Sequence, residues 1–178
     1  MYNRMHFRDM GRGQPVILLH GFAEDATVWD NQAEALGKIA RVIIPDLPGS
    51  GGSPLAGRPV TMESMATGIR ELLDDLRIGK TILIGHSMGG YISLAFAALY
   101  PERLHAFGLF HSTAYPDTEE KKSTRRKAIG FIRSNGAAPF IRQSTPNLFS
   151  PTTRERRPDL IESTIEKYAG FSADALIA

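Results

Sequence analysis

The sequence predicts an α/β fold: a mostly parallel sheet flanked by helices, followed by a helical segment. Three observations predict it. Short runs of β-branched and aliphatic residues recur through residues 1–111, apolar on both faces rather than alternating, as strands covered on both sides read. Helical patterns fill the gaps between those runs, the order that builds parallel strands with crossover helices. After residue 112 only helical periodicity remains, so the division expected is 1–112 for the sheet region and 113–178 for the helical one.

In chain order, Met5-His6-Phe7 before Gly11-Arg12-Gly13 reads as an antiparallel edge strand. Pro15-Val16-Ile17-Leu18-Leu19 is the first buried strand and ends at His20-Gly21. Thr27 to Ile39 spaces Val28, Trp29, Ala33, Leu36 and Ile39 as a helix does. Arg41-Val42-Ile43-Ile44-Pro45 is the second buried strand. Thr61-Met62-Glu63-Ser64 resembles a helix N-cap, followed by the stripe Met65, Ile69, Leu72, Leu73 and Leu76, with Gly79 as the stop. Lys80 to Ile84 is the third buried strand, Met88 to Tyr100 a helix apolar nearly all round, and Leu104 to Phe110 the fourth strand.

Beyond, Asp117 to Asn135 is a charged amphipathic helix with Ala128, Ile129, Phe131 and Ile132 on its apolar side. Phe140–Phe149 and Pro151–Tyr168 are shorter helices broken by Pro146, Pro151 and Pro158. The last pattern, Ser172 to Ala178, is a capped helix of about one and a half turns whose Leu176-Ile177 has little to pack on, and it reads as interrupted.

Composition narrows the function classes. The chain has 178 residues, 42% hydrophobic and 22% charged, so fibrous and disordered classes are excluded. It has no cysteine, which excludes disulfides, thiolate metal sites and a cysteine nucleophile. No apolar run approaches the roughly 18 residues of a membrane span, and the first residues lack the apolar stretch of a secretory signal, so the expectation is cytoplasmic, with no membrane. A net charge of +2 is close to balance and gives no reason to expect nucleic acid. The mild basicity sits in the helical segment, at Arg125-Arg126-Lys127 and Arg154-Glu155-Arg156-Arg157; a solvated helix face and a site for an acidic partner are its two readings. No cofactor or metal motif is visible.

The feature that carries chemistry is Gly85-His86-Ser87-Met88-Gly89, with Gly90 following. It directly follows a buried strand and directly opens a buried helix, the context of a nucleophile elbow. A serine in so tight a turn takes a strained backbone, and Gly85 and Gly89 leave the room that it needs. The turn lifts the Ser87 hydroxyl above the sheet and aims the Met88 amide at a developing oxyanion. Its alternative is a glycine-rich turn with an incidental serine. His20-Gly21-Phe22 ends the first buried strand at the same sheet edge, where ligands bind in such folds. There Phe22 offers a second oxyanion amide, while His20 reads as a structural hydrogen-bonding residue rather than a base. Pro48-Gly49-Ser50-Gly51-Gly52-Ser53-Pro54 is not a P-loop, because it lacks the lysine ending and a following helix; it reads as a flexible loop beside the pocket.

Leu18-Leu19-His20-Gly21-Phe22, Asp46-Leu47-Pro48-Gly49-Ser50-Gly51-Gly52-Ser53 and Gly85-His86-Ser87-Met88-Gly89-Gly90 together resemble the amino-terminal half of an α/β-hydrolase. The resemblance covers residues 1 to about 112, and the helical stretch after it resembles the cap, or lid, of that family. It implies a serine hydrolase similar to small esterases, lactonases and carbon–carbon bond hydrolases, with a small-molecule acyl substrate such as an ester or thioester. Ser87 in place of aspartate argues against the dehalogenase and epoxide-hydrolase branches.

In that family an acid and then a histidine follow the serine. The histidines are His6, His20, His86, His105 and His111, and nothing follows His111. The expectation is therefore a truncated cap and a chain lacking the last strands, the acid and the base, inactive alone unless a second chain or a further copy of this one completes the sheet. A rearranged triad using His111 and Asp117 is the local substitute; the ordinary reading places His111-Ser112-Thr113 on the pocket floor. The rival class is a non-catalytic fragment or binding module whose last strand is an open edge.

Overall fold

Side chains along each buried strand feed two cores. In β2 (Pro15–Leu19) and β3 (Arg41–Pro45), Ile17, Leu19 and Ile43 enter one core and Val16, Leu18, Val42 and Ile44 the other, and all are buried. That is why these runs are apolar without alternation: each residue of the pair i, i+1 meets a different helical layer. Full burial of each such side chain contributes about 1.5–3 kcal/mol. The computed structural model describes residues 5–55 and 59–178.

These strands belong to a five-stranded sheet with β1 (Phe7–Gly11), β4 (Thr81–His86) and β5 (Leu104–Phe110), in the order β1-β3-β2-β4-β5. β1 is antiparallel to β3 and the other pairs are parallel. The edge strand thus begins at Phe7, later than the Met5-His6-Phe7 pattern suggests. Its polar Arg8 and Asp9 suit an edge: they pair with Asp30 and Arg41. The sheet is mostly parallel and flanked by helices, as expected.

On one face α2 (Met62–Asp75) and α3 (Met88–Leu99) bury Met65, Ile69, Leu73, Ile92 and Phe96. On the other, a 3-10 turn (Ala26–Trp29) and α1 (Asp30–Leu36) bury Trp29 and Ala33. The continuous helix expected over Thr27–Ile39 is therefore shorter and begins as a tighter turn, set by Asp25, whose side chain accepts the Thr27 N–H at 2.9 Å.

α2 opens as expected, on a capping box: Ser64 N–H donates to Thr61 Oγ1 at 3.1 Å and Thr61 N–H to Ser64 Oγ at 2.9 Å. It does not stop at Gly79. It ends at Asp75, and Arg77 takes the left-handed conformation (φ 55°) while Ile78 N–H returns to Leu73 O at 2.8 Å. α3 is less buried than its composition suggests. Its buried side is Gly89, Gly90, Ile92, Ser93 and Phe96, whereas Leu99 is exposed. Apolar content states what a helix could bury; only neighbours decide what it does bury. At the far edge, β5 keeps Phe107 and Phe110 exposed.

The chain divides into two compact units, Met1–Tyr115 and Pro116–Ala178. The second is helical throughout: α4 (Glu119–Asn135), α5 (Ala137–Ser144), a 3-10 turn (Thr145–Leu148), α6 (Pro151–Arg156), α7 (Pro158–Tyr168) and α8 (Ala173–Ile177). Ser150 caps α6, and Pro151 and Pro158 each occupy a first helical turn, where a missing N–H costs nothing. Ile132 on α4, Ala137 and Ile141 on α5, and Ile161, Ile165 and Tyr168 on α7 are buried. Leu176 of α8 is buried too, and α8 meets α4, so the last helix does have something to pack on. In the basic runs, Arg125 pairs with Asp117 and Arg157 with Asp159.

Candidate active site

Ser87 sits between β4 and α3 with φ 49° and ψ −112°, a conformation that costs a residue with a side chain about 1–3 kcal/mol. Surrounding bonds hold it there. Ser87 N–H donates to Phe110 O at 3.1 Å, and Ser87 O accepts from Gly90 N–H at 3.0 Å and Ser112 Oγ at 2.8 Å. The glycines are required by packing. A Cβ on Gly85 would collide with the Gly89 carbonyl, and one on Gly89 would lie 2.7 Å from both Leu19 O and His20 O. A Cβ on Gly90 would strike Ser112 Oγ. The Met88 amide opens a helix of 12 residues, so the positive end of that helix lies at the serine.

Gly21, at the end of β2, lies directly against this turn: a Cβ there would come within 3.2 Å of Ser87 Cβ and 3.1 Å of His86 Nδ1. Ser87, Met88 and the Gly21-Phe22 segment are thus brought to one sheet edge, and Phe22 itself is exposed. Trp29 and Phe110 pack beside His86, their rings 6.3 and 6.0 Å from its imidazole. The Trp29 Nε1 is buried without a partner among the described residues.

Each histidine has a distinct place. His20 is buried; its Nε2 accepts from Leu47 N–H at 2.9 Å, so Nδ1 carries the proton and donates to Gly21 O at 2.8 Å. Burial pushes its pKa down, against the bond to Gly21 and the nearby carboxylates. It is a neutral strut joining the ends of β2 and β3. His86 Nδ1 bonds Glu24 Oε2 at 2.9 Å, and that bond, against partial burial, raises the His86 pKa. His6 bonds Asp46 at 2.7 Å. His105 is exposed on β5. His111, with φ 47°, stacks edge-on against Phe110 at 4.6 Å. Among the described residues no histidine is hydrogen-bonded to the Ser87 hydroxyl, and the Asp117 carboxylate is engaged by Arg125 at 2.6 Å.

The glycine-rich segment after β3 is not the flexible loop its composition suggests. Asp46, buried beneath it, accepts from Ala26 N–H at 2.8 Å, Gly52 N–H at 2.9 Å and His6. Burial alone would raise its pKa, but those donors outweigh burial and hold it below the ordinary range. Gly51 (φ 50°) is pressed so close to the Asp46 carboxylate that a Cβ would overlap it. Ser53 Oγ donates to Asp46 O at 2.6 Å.

Glu24 and Trp29 are residues at this site that sequence reasoning misses, and Ser112, expected on the pocket floor, has in addition a bond to Ser87 O that the sequence does not show. Glu24 carries no motif; its meaning depends on His86, 62 positions away. The pairing Gly90–Ser112 leaves one trace only, a second consecutive glycine. Among the described residues no cluster of three His, Asp or Glu side chains is spaced for a metal ion. Nor is any helix among them long and apolar enough to cross a membrane.

Residues 14–129 match the alpha/beta hydrolase fold family. The chain is similar to a thermophilic esterase from Thermogutta terrifontis, with a TM-score of 0.90 and 36% identity over 98% of this chain and 64% of that one. It is 41% identical over 100 residues to the dihydrolipoyllysine-residue acetyltransferase component of the acetoin cleaving system of Pseudomonas putida, covering 56% of this chain and 27% of that protein. It is also 39% identical over 94 residues to a soluble epoxide hydrolase of Corynebacterium sp., covering 53% of this chain and 33% of the relative. The chain therefore spans about a third or less of these two relatives, and just under two thirds of the esterase.

Proposed function

Because this chain belongs to the α/β-hydrolase fold family, we propose that it carries the nucleophile half of a serine hydrolase acting on an ester, thioester or related acyl substrate. The observation that carries this reading is the Ser87 backbone: φ 49° at a strand-to-helix turn whose neighbouring glycines cannot bear a Cβ. Strain of that kind persists only where the surroundings over-determine it, and it clusters at functional sites.

In this reading Ser87 Oγ attacks the acyl carbon and the carbonyl oxygen takes up the electron pair, facing the Phe22 and Met88 amides. The bond to the leaving oxygen or sulfur then breaks, and the proton from Ser87 passes through a histidine base to the leaving group. Water reverses the sequence and frees the acid. That base and its orienting carboxylate are contributed by polypeptide other than residues 5–55 and 59–178, a reading supported by the lack of any described histidine bonded to Ser87 Oγ. A serine nucleophile separates this site from the epoxide-hydrolase branch in spite of the similarity to one member of it.

The test is covalent labelling of Ser87 by a fluorophosphonate, followed by peptide mapping, with Ser87→Ala as control. Labelling confined to Ser87 supports the reading. Ser87 left unlabelled both in the chain alone and in the chain together with the polypeptide that supplies its base overturns it in favour of a non-catalytic binding module.

A further inference from the structure

The geometry points to Glu24 as a positioning residue for the oxyanion hole: one carboxylate oxygen clamps the loop after β2 to the turn that carries Ser87. The inference rests on the serine-hydrolase reading above. Glu24 Oε2 accepts two bonds at once, from Gly21 N–H at 2.7 Å and from His86 Nδ1 at 2.9 Å. Gly21 immediately precedes Phe22, and His86 immediately precedes Ser87. A single atom thus ties together the two segments that must be spaced correctly if the Phe22 and Met88 amides are to meet one oxygen.

Three further features suit a clamp. Glu24 and His86 are both half-buried, so the bonds compete little with water. Glu24 raises the His86 pKa, which favours a charged pair over a neutral contact. Gly21 lies close against this pair, since a Cβ there would come 2.9 Å from Glu24 Oε2, 3.1 Å from His86 Nδ1 and 3.2 Å from Ser87 Cβ. Glu24 fixes the His20–Gly21 peptide through the Gly21 N–H, while His20 Nδ1, donating to Gly21 O at 2.8 Å, fixes the next peptide, the one that carries the Phe22 amide. Glu24 touches neither substrate nor Ser87 Oγ in this scheme; it acts through the backbone on either side. Oxyanion donors lose most of their effect when displaced by an ångström or so.

The experiment compares wild type with Glu24→Ala and Glu24→Gln, each together with the polypeptide that supplies the base. It reads the second-order rate of fluorophosphonate labelling at Ser87, the number of reactive sites, kcat and KM on p-nitrophenyl acetate, and the melting temperature. The expectation for Glu24→Ala is a fall of about 10- to 100-fold in labelling rate and in kcat, with KM and the number of reactive sites held. Glu24→Gln keeps an oxygen for Gly21 but loses the charge that holds His86, and is expected between the two. A residue that only stabilised the fold would lower the melting temperature or the count of reactive sites and leave the rate per site unchanged. That result, or a Glu24→Gln rate equal to wild type, overturns the clamp and leaves the serine reading intact. Failure of the wild-type protein to label at Ser87 even with that polypeptide present overturns both.

Discussion

Two glycine-rich turns leave the same edge of the sheet, one after β3 and one after β4, and they put their glycines to opposite uses. In the turn after β3, Gly51 and Gly52 let the backbone close on the Asp46 carboxylate, and its oxygens are taken by Ala26, Gly52 and His6. In the turn after β4, Gly85, Gly89 and Gly90 let β2, α3 and Ser112 crowd around Ser87, whose backbone is bonded on both sides while its hydroxyl meets no described histidine. Glycine content and position at the sheet edge are shared. What differs is whether the polar side chain at the centre is consumed by the fold or left available to chemistry.

The comparison can be broken first at Ser87. With the polypeptide that supplies acid and base present, Ser87→Ala is expected to abolish fluorophosphonate labelling and to lower hydrolysis of p-nitrophenyl esters by on the order of 10^5-fold, since triad members act as a unit. Its melting temperature is expected to stay close to that of wild type. A labelled or active variant would remove Ser87 from the chemistry.

Asp46→Ala should do the reverse. It leaves the Ala26 and Gly52 amides without their acceptor and is expected to cost about 2–4 kcal/mol, measured by urea unfolding. Labelling per folded molecule should be nearly unchanged. Acid acts in the same direction: the Asp46 pKa is depressed in the folded state, so its contribution is complete above the unfolded value and is lost as pH falls through the folded one.

Ser87→Gly sharpens the contrast at smaller scale. With φ at 49°, glycine relieves strain that serine bears, so the variant is expected to be about 1 kcal/mol more stable although inactive. Glycine at an unstrained serine would destabilise instead, and a lowered urea midpoint would refute the strain argument.

The smallest effect concerns the two histidines beside Gly21, which report opposite surroundings. NMR titration is expected to find His86 with a midpoint above 6.5 and His20 with one below it. The signs for stability follow. The His86 contribution is full below 6.5 and fades as pH rises through its folded value, whereas that of His20 is full above 6.5 and fades as pH falls. Equal midpoints would show that Glu24 does not hold His86.

Much of the fold was legible because the relevant physics is local. Val16–Leu19 and Val42–Ile44 announced doubly covered strands, Thr61 and Ser64 announced a helix start, and Gly85 to Gly89 announced the turn with its serine. The errors fell where the pattern did not show which groups would bond, once at short range and otherwise between remote positions. Arg77 rather than Gly79 ends α2, because the closing bond to Leu73 sets the turn there. The glycine-rich segment after β3 reads as loose until Asp46 is placed beneath it, and Leu176 reads as stranded until α4 is beside it.

By itself, then, the sequence determined the strand and helix alternation, the two-faced burial of the central strands and the position of the one strained serine. Each is a property of residues within a few positions of one another: pattern, cap or steric allowance. Only the tertiary structure decided which polar groups are spent on the fold. Asp46 with His6, His20 with Leu47 and Glu24 with His86 join positions 27 to 62 residues apart, and no local pattern encodes such a pairing. A carboxylate or an imidazole becomes a strut or a tool according to the donors that folding brings to it.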